Sequence, residues 1–232
     1  MIQFDISANQ VLRTLLVVLG ILIICNLIAI VLTYSVAPDA GYAKLLERYF
    51  NFATEANVPT YYNTILIFMV AQTFYLLGKV YNPEHKLVKN YFYMIAIIFV
   101  FLSIDELAGI HEWFSYGLPE HLGIGGQGIF RFAWIIPYGL AVVIFGIFSI
   151  KFIRALEKTI VVKYVGAGFL YLMGVFVMEA LGGWFVDRND GVETLEYYLF
   201  FTTPEETFEM LAMIWVIHTN LVVVIQQEMD NQ

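Results

Sequence analysis

The sequence is poor in charged residues and in cysteine. Charged residues make up 14% of the chain, against about 25% in ordinary soluble domains. The one cysteine, Cys25, lies inside a long apolar stretch, so an intrachain disulfide is excluded and the redox compartment cannot be inferred. The sequence has no basic patch, phosphate-binding loop, nucleophile elbow or zinc-protease motif. We therefore expect no nucleic-acid partner, and no enzymatic reaction is assigned.

Apolar residues take up the remaining composition. Hydrophobic residues account for 60% of the chain and aromatic residues for 17%. They occur in long runs without the alternation of barrel strands, which is typical of helices that cross a lipid bilayer. The sequence predicts an all-α integral membrane helical bundle, a single domain of residues 1–232. About six spans are predicted, at residues 11–36, 60–80, 90–114, 129–153, 160–186 and 204–225.

The connections between the spans differ in charge. Residues 41–57 are too polar to cross the membrane and carry one apolar stripe, which predicts an interfacial helix. Because basic connections favour the cytoplasm, the charge pattern predicts cytoplasmic N and C termini in the cell inner membrane. The opposite side, facing a periplasm or lumen, receives most acids and an aromatic belt that includes Trp113, Trp134 and Trp184. The basic residues that set this orientation are Arg13, Lys79, Lys86, Lys89, Lys151, Arg154, Lys158 and Lys163.

Ionisable residues gather at the outer end of the third predicted span. Charged groups inside an apolar span are energetically costly and indicate function. On a continuous helix Asp105 and Glu112 would lie within about 20° of each other. Ala108 and Gly109 fall between them and would leave room for a neighbouring helix or a ligand. The four ionisable residues of this stretch are Asp105, Glu106, His111 and Glu112.

Acids on other segments are expected at the same depth. Glu179 lies in the fifth span and is followed by Gly182 and Gly183. The sixth span begins with acids at helical spacing, and another acid precedes the second span. Because the ends of alternate crossings meet at one membrane surface, we expect all these side chains to converge. These further residues are Glu205, Glu206, Glu209 and Glu55.

Carboxylates from several helices with one histidine are the ligands that helical bundles use for dinuclear metal centres. Oxygen and imidazole donors suit a divalent metal such as iron, manganese or zinc. The main prediction is therefore a metal-binding site, mononuclear or dinuclear, formed by these nine residues. Structural interpretations remain open beside it: residues 203–206 have the pattern of a capping box with proline at the first helical position. Arg131 is able to pair with Asp105 or Glu112, and His111 is able to serve as a hydrogen-bonded structural residue.

Two other functions are compatible with the same residues. The acids suit the coupling site of a proton- or cation-coupled transporter. The small size, short loops and aromatic surface also suit a homo-oligomer, or an accessory subunit of a larger membrane complex. The sequence does not distinguish these alternatives.

Three stretches carry a resemblance to other proteins. They are Glu-Ala-Asn-Val-Pro-Thr-Tyr-Tyr at residues 55–62, Phe-Leu-Ser-Ile-Asp-Glu with His-Glu at 101–112, and Pro-Glu-Glu with Glu-Met-Leu at 204–211. Together they resemble a broad family of bacterial polytopic membrane proteins, some of them named multidrug transporters. The resemblance covers residues 50–221 and implies a membrane bundle without a defined activity. Ser103, Asp105 and His111 are also similar to residues of alkaline-ceramidase-like zinc hydrolases, but the His-x-x-x-His pair of those enzymes is missing.

Overall fold

The computed structural model describes residues 7–81 and 85–230. The predicted cytoplasmic ends of the chain, residues 1–6 and 231–232, lie outside the described residues. Within the described residues the chain is helical and has no strand, which confirms the all-α prediction. Six helical segments are long and apolar enough to cross a membrane, as expected for a multi-pass membrane protein. They are Ala8–Val36, Val58–Val80, Lys86–Ala108, Ile135–Ala155, Lys158–Arg188 and Leu195–Met229.

Several spans combine α-helix with a wider π-helical turn. The last turn of the first span is π-helical, and the fifth and sixth spans contain an internal π-helical segment. The α-helices are α1 (Ala8–Val31), α2 (Gly41–Phe50), α3 (Val58–Val80), α4 (Lys86–Ala108), α5 (Ile110–Leu122), α6 (Ile135–Ala155), α7 (Lys158–Leu172), α8 (Glu179–Arg188), α9 (Leu195–Tyr197) and α10 (Thr203–Asp230). The π-helical segments are Leu32–Val36, Met173–Met178 and Tyr198–Thr202.

Helix α10 forms the centre of the bundle and packs against α1, α3 and α7. Its residues Met210, Ile214 and Ile217 are almost completely buried within the bundle. Helix α6 lies at the periphery, where it packs chiefly on α4. It exposes large apolar side chains such as Phe148, which is 70% exposed. Such a surface requires lipid around it, so the outer helices are in contact with the bilayer.

Buried amides connect the helices at two depths. The Asn26 side chain of α1 donates to Thr203 Oγ1 at 2.8 Å and accepts from the Phe52 backbone N–H at 2.9 Å. Toward the other membrane surface, Asn220 accepts from the Tyr164 hydroxyl at 2.7 Å and donates to Thr73 Oγ1 at 3.0 Å. Interhelical hydrogen bonds of this kind fix the relative position of helices in lipid.

The predicted third span is wrong at its C-terminal end. Residues 90–114 do not form one helix, because Gly109 adopts a left-handed backbone conformation (φ +59°) that ends α4 at Ala108. A left-handed glycine is a common helix stop. Helix α5 then begins at Ile110 in a new direction, so the angle calculated for Asp105 and Glu112 on a continuous helix does not apply.

Among the other predicted boundaries, three differ from the structure by six residues or more. The interfacial helix ends at Phe50 instead of residue 57, because a loop follows in which Asn57 caps α3 by accepting the Thr60 N–H at 3.0 Å. The fourth span begins at Ile135 instead of residue 129, after a glycine-rich loop and a 3₁₀ turn. The sixth span begins at Leu195, well before residue 204, so the capping-box interpretation of residues 203–206 is wrong. The Thr203 hydroxyl accepts from Asn26 instead.

Candidate functional site

All nine residues predicted to be metal ligands line one cavity of about 260 Å³. It lies between the ends of α3, α4 and α10, the start of α5 and the π-helical part of the fifth span. No Lys or Arg is among the residues that line it in the described part of the chain. Asp105 and Glu205 are buried, whereas Glu55 and Glu112 are exposed. The remaining ligand candidates are half-buried: Glu106, His111, Glu179, Glu206 and Glu209.

Asp105 organises the wall of the cavity where α4 ends. Its Oδ1 accepts the His111 backbone N–H at 2.8 Å, and its Oδ2 accepts the Tyr138 hydroxyl at 2.9 Å. The His111 ring nitrogen Nδ1 lies 3.5 Å from Oδ1. Asp105 therefore caps α5 across the break at Gly109, and it positions His111 and Tyr138 at the same time.

Two other acids each have a neutral donor. Asn63 Nδ2 donates to Glu106 Oε1 at 3.0 Å, and the indole Nε1–H of Trp134 donates to Glu179 Oε1 at 3.1 Å. Neither donor carries a positive charge. The hydrogen bonds therefore orient the carboxyl groups without neutralising them.

The acids of the sixth span have no basic partner in the described part of the chain. The two ion pairs found there join His111 to Asp105 and Arg131 to Asp187. The alternative prediction that Arg131 pairs with Asp105 or Glu112 is wrong. Arg131 pairs instead with Asp187 of α8, which also accepts the Gly128 N–H. Gly183 of α8 allows this close approach, because it has no Cβ to collide with the Cβ of Arg131.

Aromatic rings form the wall opposite α10. The Trp134 ring lies 5.4 Å from both the His111 ring and the Tyr138 ring, and 6.0 Å from the Phe176 ring, measured between centroids. Trp134 therefore lines the cavity, a contact that its predicted place in an aromatic belt did not indicate. Aromatic faces attract cations, so this wall adds to the attraction of the carboxylates for a positively charged ligand.

The fifth and sixth spans approach closely beside these acids. A Cβ on Gly174 would lie 2.8 Å from the Glu205 carbonyl oxygen and 3.1 Å from Glu209 Cγ. Gly182 makes a similar approach to Tyr197 and Phe201. Gly174 lets the π-helical segment of the fifth span pack on α10, and Gly182 lets α8 pack on the π-helical segment of the sixth span. π-Helical turns are frequent at functional sites.

Two titratable residues at the mouth of the cavity respond to the cluster. Partial desolvation, together with the charge of Glu112, raises the pKa of Glu55. Burial lowers the pKa of His111, but its hydrogen bond to Asp105 and the charges of Asp105, Glu106 and Glu55 outweigh this effect and leave it above its ordinary value. The cluster therefore favours positive charge at this position.

The nine residues share a cavity without being gathered around one point. Within residues 7–81 and 85–230, no group of three or more His, Cys, Asp or Glu side chains is placed to hold a metal ion. Several oxygen atoms already accept hydrogen bonds from Asn63, Trp134 and Tyr138. A metal centre would require these side chains to move.

The sequence reasoning missed several residues of the site. Tyr138 was detectable, because a buried aspartate near a helix end requires donors and Tyr138 is on the next span. No sequence signal indicated Thr202, which is 5% exposed and lines the cavity beside Tyr197, with no hydrogen bond of ordinary geometry to a described residue. Ser103, suggested by the hydrolase resemblance, does not line the cavity, and its hydroxyl donates to the Thr64 carbonyl at 3.1 Å.

The family comparison covers nearly the whole bundle. No curated protein and no solved structure matches the chain. A family model does match residues 14–224, which include every residue of the cavity. On that match, the chain belongs to the family described as domain of unknown function DUF8692.

Proposed function

We propose that this membrane protein binds a cation in the acidic cavity and exchanges it against protons, as a proton- or cation-coupled transporter does. The observation that carries the proposal is the composition of the cavity lining. Eight carboxyl groups and one imidazole surround a cavity of about 260 Å³ with no lysine or arginine among them.

Charge balance supports this function. Carboxylates that share a low-dielectric site cannot all be ionised, because their mutual repulsion and desolvation disfavour the charged forms. The cluster must therefore be neutralised by protons or by a bound cation. If the two occupy the same carboxyl groups, binding a cation releases protons, and this competition is the chemical basis of coupled transport.

The distribution of exposure provides a path into the site. Glu55 and Glu112 are exposed at the mouth, whereas Glu205 lies deeper and is buried. A cation entering from the outer side, which the charge pattern assigns to the periplasm or a lumen, would meet the exposed acids first. The resemblance of residues 50–221 to bacterial membrane proteins, some named transporters, adds to the proposal.

Proton release from protein in lipid nanodiscs tests the proposal. Tetramethylammonium, K⁺ or Mn²⁺ is added in weakly buffered solution while a pH dye is recorded. We expect at least one of these cations to release protons from the wild type. Glu209→Gln should reduce the release at least fivefold, because it removes an acid that lines the cavity. The matched control is Glu228→Gln, at an exposed position near the other end of α10.

The same variants, reconstituted in liposomes with a pH dye in the lumen, test movement across the membrane. A gradient of the active cation should drive a change of lumenal pH in the wild type and in Glu228→Gln, but not in Glu209→Gln. Absence of proton release with all three cations, or release that is unchanged in Glu209→Gln, would contradict the proposed function.

A metal-binding site, mononuclear or dinuclear, is the second candidate. The donor set of carboxylates with His111 favours it, because oxygen and imidazole ligands suit iron, manganese or zinc. Metal analysis of the purified protein tests this candidate: it requires a stoichiometric metal and its loss in Glu112→Ala. Equal metal contents in the variant and the wild type would eliminate it.

A further inference from the structure

A second cavity lies beside the acidic one and has the opposite character. It has a volume of about 250 Å³ and lies between α6 and α7, with α3, α4 and α10 at its back. Nearly all of its lining is apolar. The hydroxyl groups of Ser149 and Tyr164 are both used elsewhere, the first by the Phe145 carbonyl and the second by Asn220. The cavity therefore offers a ligand only apolar contact.

Tyr171 lies between the two cavities, because it lines both of them. Its hydroxyl makes no hydrogen bond with a described side chain or backbone group. From Tyr171 the apolar cavity extends toward the connection between α6 and α7, and the acidic cavity extends toward the opposite membrane surface. Each volume is below the roughly 300–1,000 Å³ of ordinary ligand pockets, whereas the two together fall within that range.

The apolar cavity also opens to the bilayer. Ile153 of α6 and Val165 of α7 both line it and are 38% and 58% exposed on the surface of the protein. Helix α6 packs chiefly on α4, so its contact with α7 does not close this side. An apolar chain is therefore able to enter from the lipid without crossing a polar region.

We propose that the cation bound by this protein is an amphiphilic ammonium compound with a single alkyl chain. The ammonium head occupies the acidic cavity, against the Trp134 ring and the carboxylates, and the chain occupies the apolar cavity. Charge complementarity selects the head, because the apolar cavity ends at a site with eight acids and no lysine or arginine. The buried Thr202 hydroxyl lies beside Tyr197 in the lining of the same acidic cavity and makes no hydrogen bond of ordinary geometry within the described residues, so it is able to contact a ligand. This inference rests on the proposed cation site and specifies its ligand.

Two glycines allow a matched test of the apolar cavity. Gly168 lines this cavity and Gly146 of α6 does not, yet a Cβ added at either position meets nothing within 4 Å. Gly168→Leu should therefore occupy space in the chain-binding cavity while leaving the fold intact. Gly146→Leu adds the same side chain at a lipid-facing position and serves as the control.

The experiment compares dodecyltrimethylammonium with tetramethylammonium in nanodiscs, with proton release as the readout. We expect the dodecyl compound to act at a concentration at least tenfold lower in the wild type and in Gly146→Leu. In Gly168→Leu, the concentration at which the dodecyl compound acts should rise at least tenfold, whereas the response to tetramethylammonium should be unchanged. Glu209→Gln should weaken the response to both compounds, and dodecanesulfonate, with the same chain and a negative head, should release no protons.

The outcomes separate this inference from the proposed function. If tetramethylammonium releases protons but the dodecyl chain adds no affinity, or Gly168→Leu behaves as Gly146→Leu does, the amphiphile inference fails and the cation site stands. If K⁺, Mn²⁺ and both ammonium compounds all leave the protons in place, the proposed function fails as well. An equal response to dodecanesulfonate would show that only insertion into lipid is being measured, and would also overturn the inference.

Discussion

Replacing Gly174 with alanine tests a close contact of the fifth span with the backbone of the sixth span, beside Glu205 and Glu209. In the structure, a Cβ at this position would lie 2.8 Å from the Glu205 carbonyl oxygen, 3.1 Å from Glu209 Cγ and 3.4 Å from Phe208 Cβ. The nearest of these atoms is backbone, so the clash cannot be relieved by a change of side-chain rotamer. The fifth span must move away from α10, and the cavity wall must move with it.

The magnitude follows from two opposing effects. Overpacking a well-packed interior costs about 1–3 kcal/mol. Alanine also favours a helix over glycine by up to about 1 kcal/mol. At Gly168, where the added Cβ meets nothing within 4 Å, only the second effect applies. Because the helix-propensity gain is common to both variants, we expect Gly174→Ala to be less stable than Gly168→Ala by the overpacking cost, about 1–3 kcal/mol.

Equilibrium unfolding in mixed micelles, titrated with a denaturing detergent, measures this difference. Proton release in response to tetramethylammonium should weaken in Gly174→Ala and remain normal in Gly168→Ala, because only the first change displaces Glu205 and Glu209. If the two alanine variants have the same unfolding free energy, the close packing of the π-helical segment against α10 is refuted, and with it the geometry of the cavity wall.

Three further predictions concern single side chains. Trp134→Phe keeps an aromatic ring but removes the donor to Glu179, so it should lower the unfolding free energy by about 1 kcal/mol in the same titration. The pKa of His111 is raised, so its contribution to stability is complete below the ordinary imidazole value of about 6.5 and is lost as pH rises through the higher folded value. The unfolding free energy, measured between about pH 5 and about pH 9, should show this loss of stability. The loss should be absent in His111→Gln and present in the control His121→Gln, which changes an exposed residue of α5. Asn26→Leu leaves a backbone N–H and a threonine hydroxyl unpaired, so it should cost about 1–3 kcal/mol and speed amide hydrogen exchange in residues 51–57; unchanged exchange there would contradict the proposed link between α1 and this loop.

The number and type of the spans were predictable because lipid imposes a simple condition on the sequence. A run of about 20 apolar residues that satisfies its own backbone must be a helix. The helix ends were less predictable. Gly109 stops α4 through a left-handed conformation, and this stop is stabilised by Asp105, whose carboxylate accepts the His111 N–H beyond the break and the hydroxyl of the distant Tyr138. Proline and acids at residues 204–206 suggested a helix start, but the helix arrives there already formed, through a π-helical turn.

The convergence of the nine ligand candidates followed from topology alone, since alternate crossings bring their ends to the same surface. The side chains that contact these candidates could not be predicted from topology. The donors Tyr138 and Trp134 belong to a peripheral span whose rotation is set by tertiary packing, so their contacts with Asp105 and Glu179 could not be deduced from spacing. The apolar cavity was equally hidden, because it results from a gap between α6 and α7 and not from any motif.

Irregular backbone and acidic side chains occur at the same depth in this bundle. Helix α4 breaks at Gly109, the fifth span becomes π-helical over Met173–Met178, and the sixth does so over Tyr198–Thr202. Each irregularity weakens the hydrogen bonding of the backbone where no lipid can replace it, and such segments are tolerated in membranes only where they are buried in protein or line a cavity. Charged groups in a span are subject to the same restriction. The irregular backbone and the acids meet around one cavity. Both have a common explanation if the cavity holds a positively charged ligand, because such a ligand stabilises the acids that these segments position.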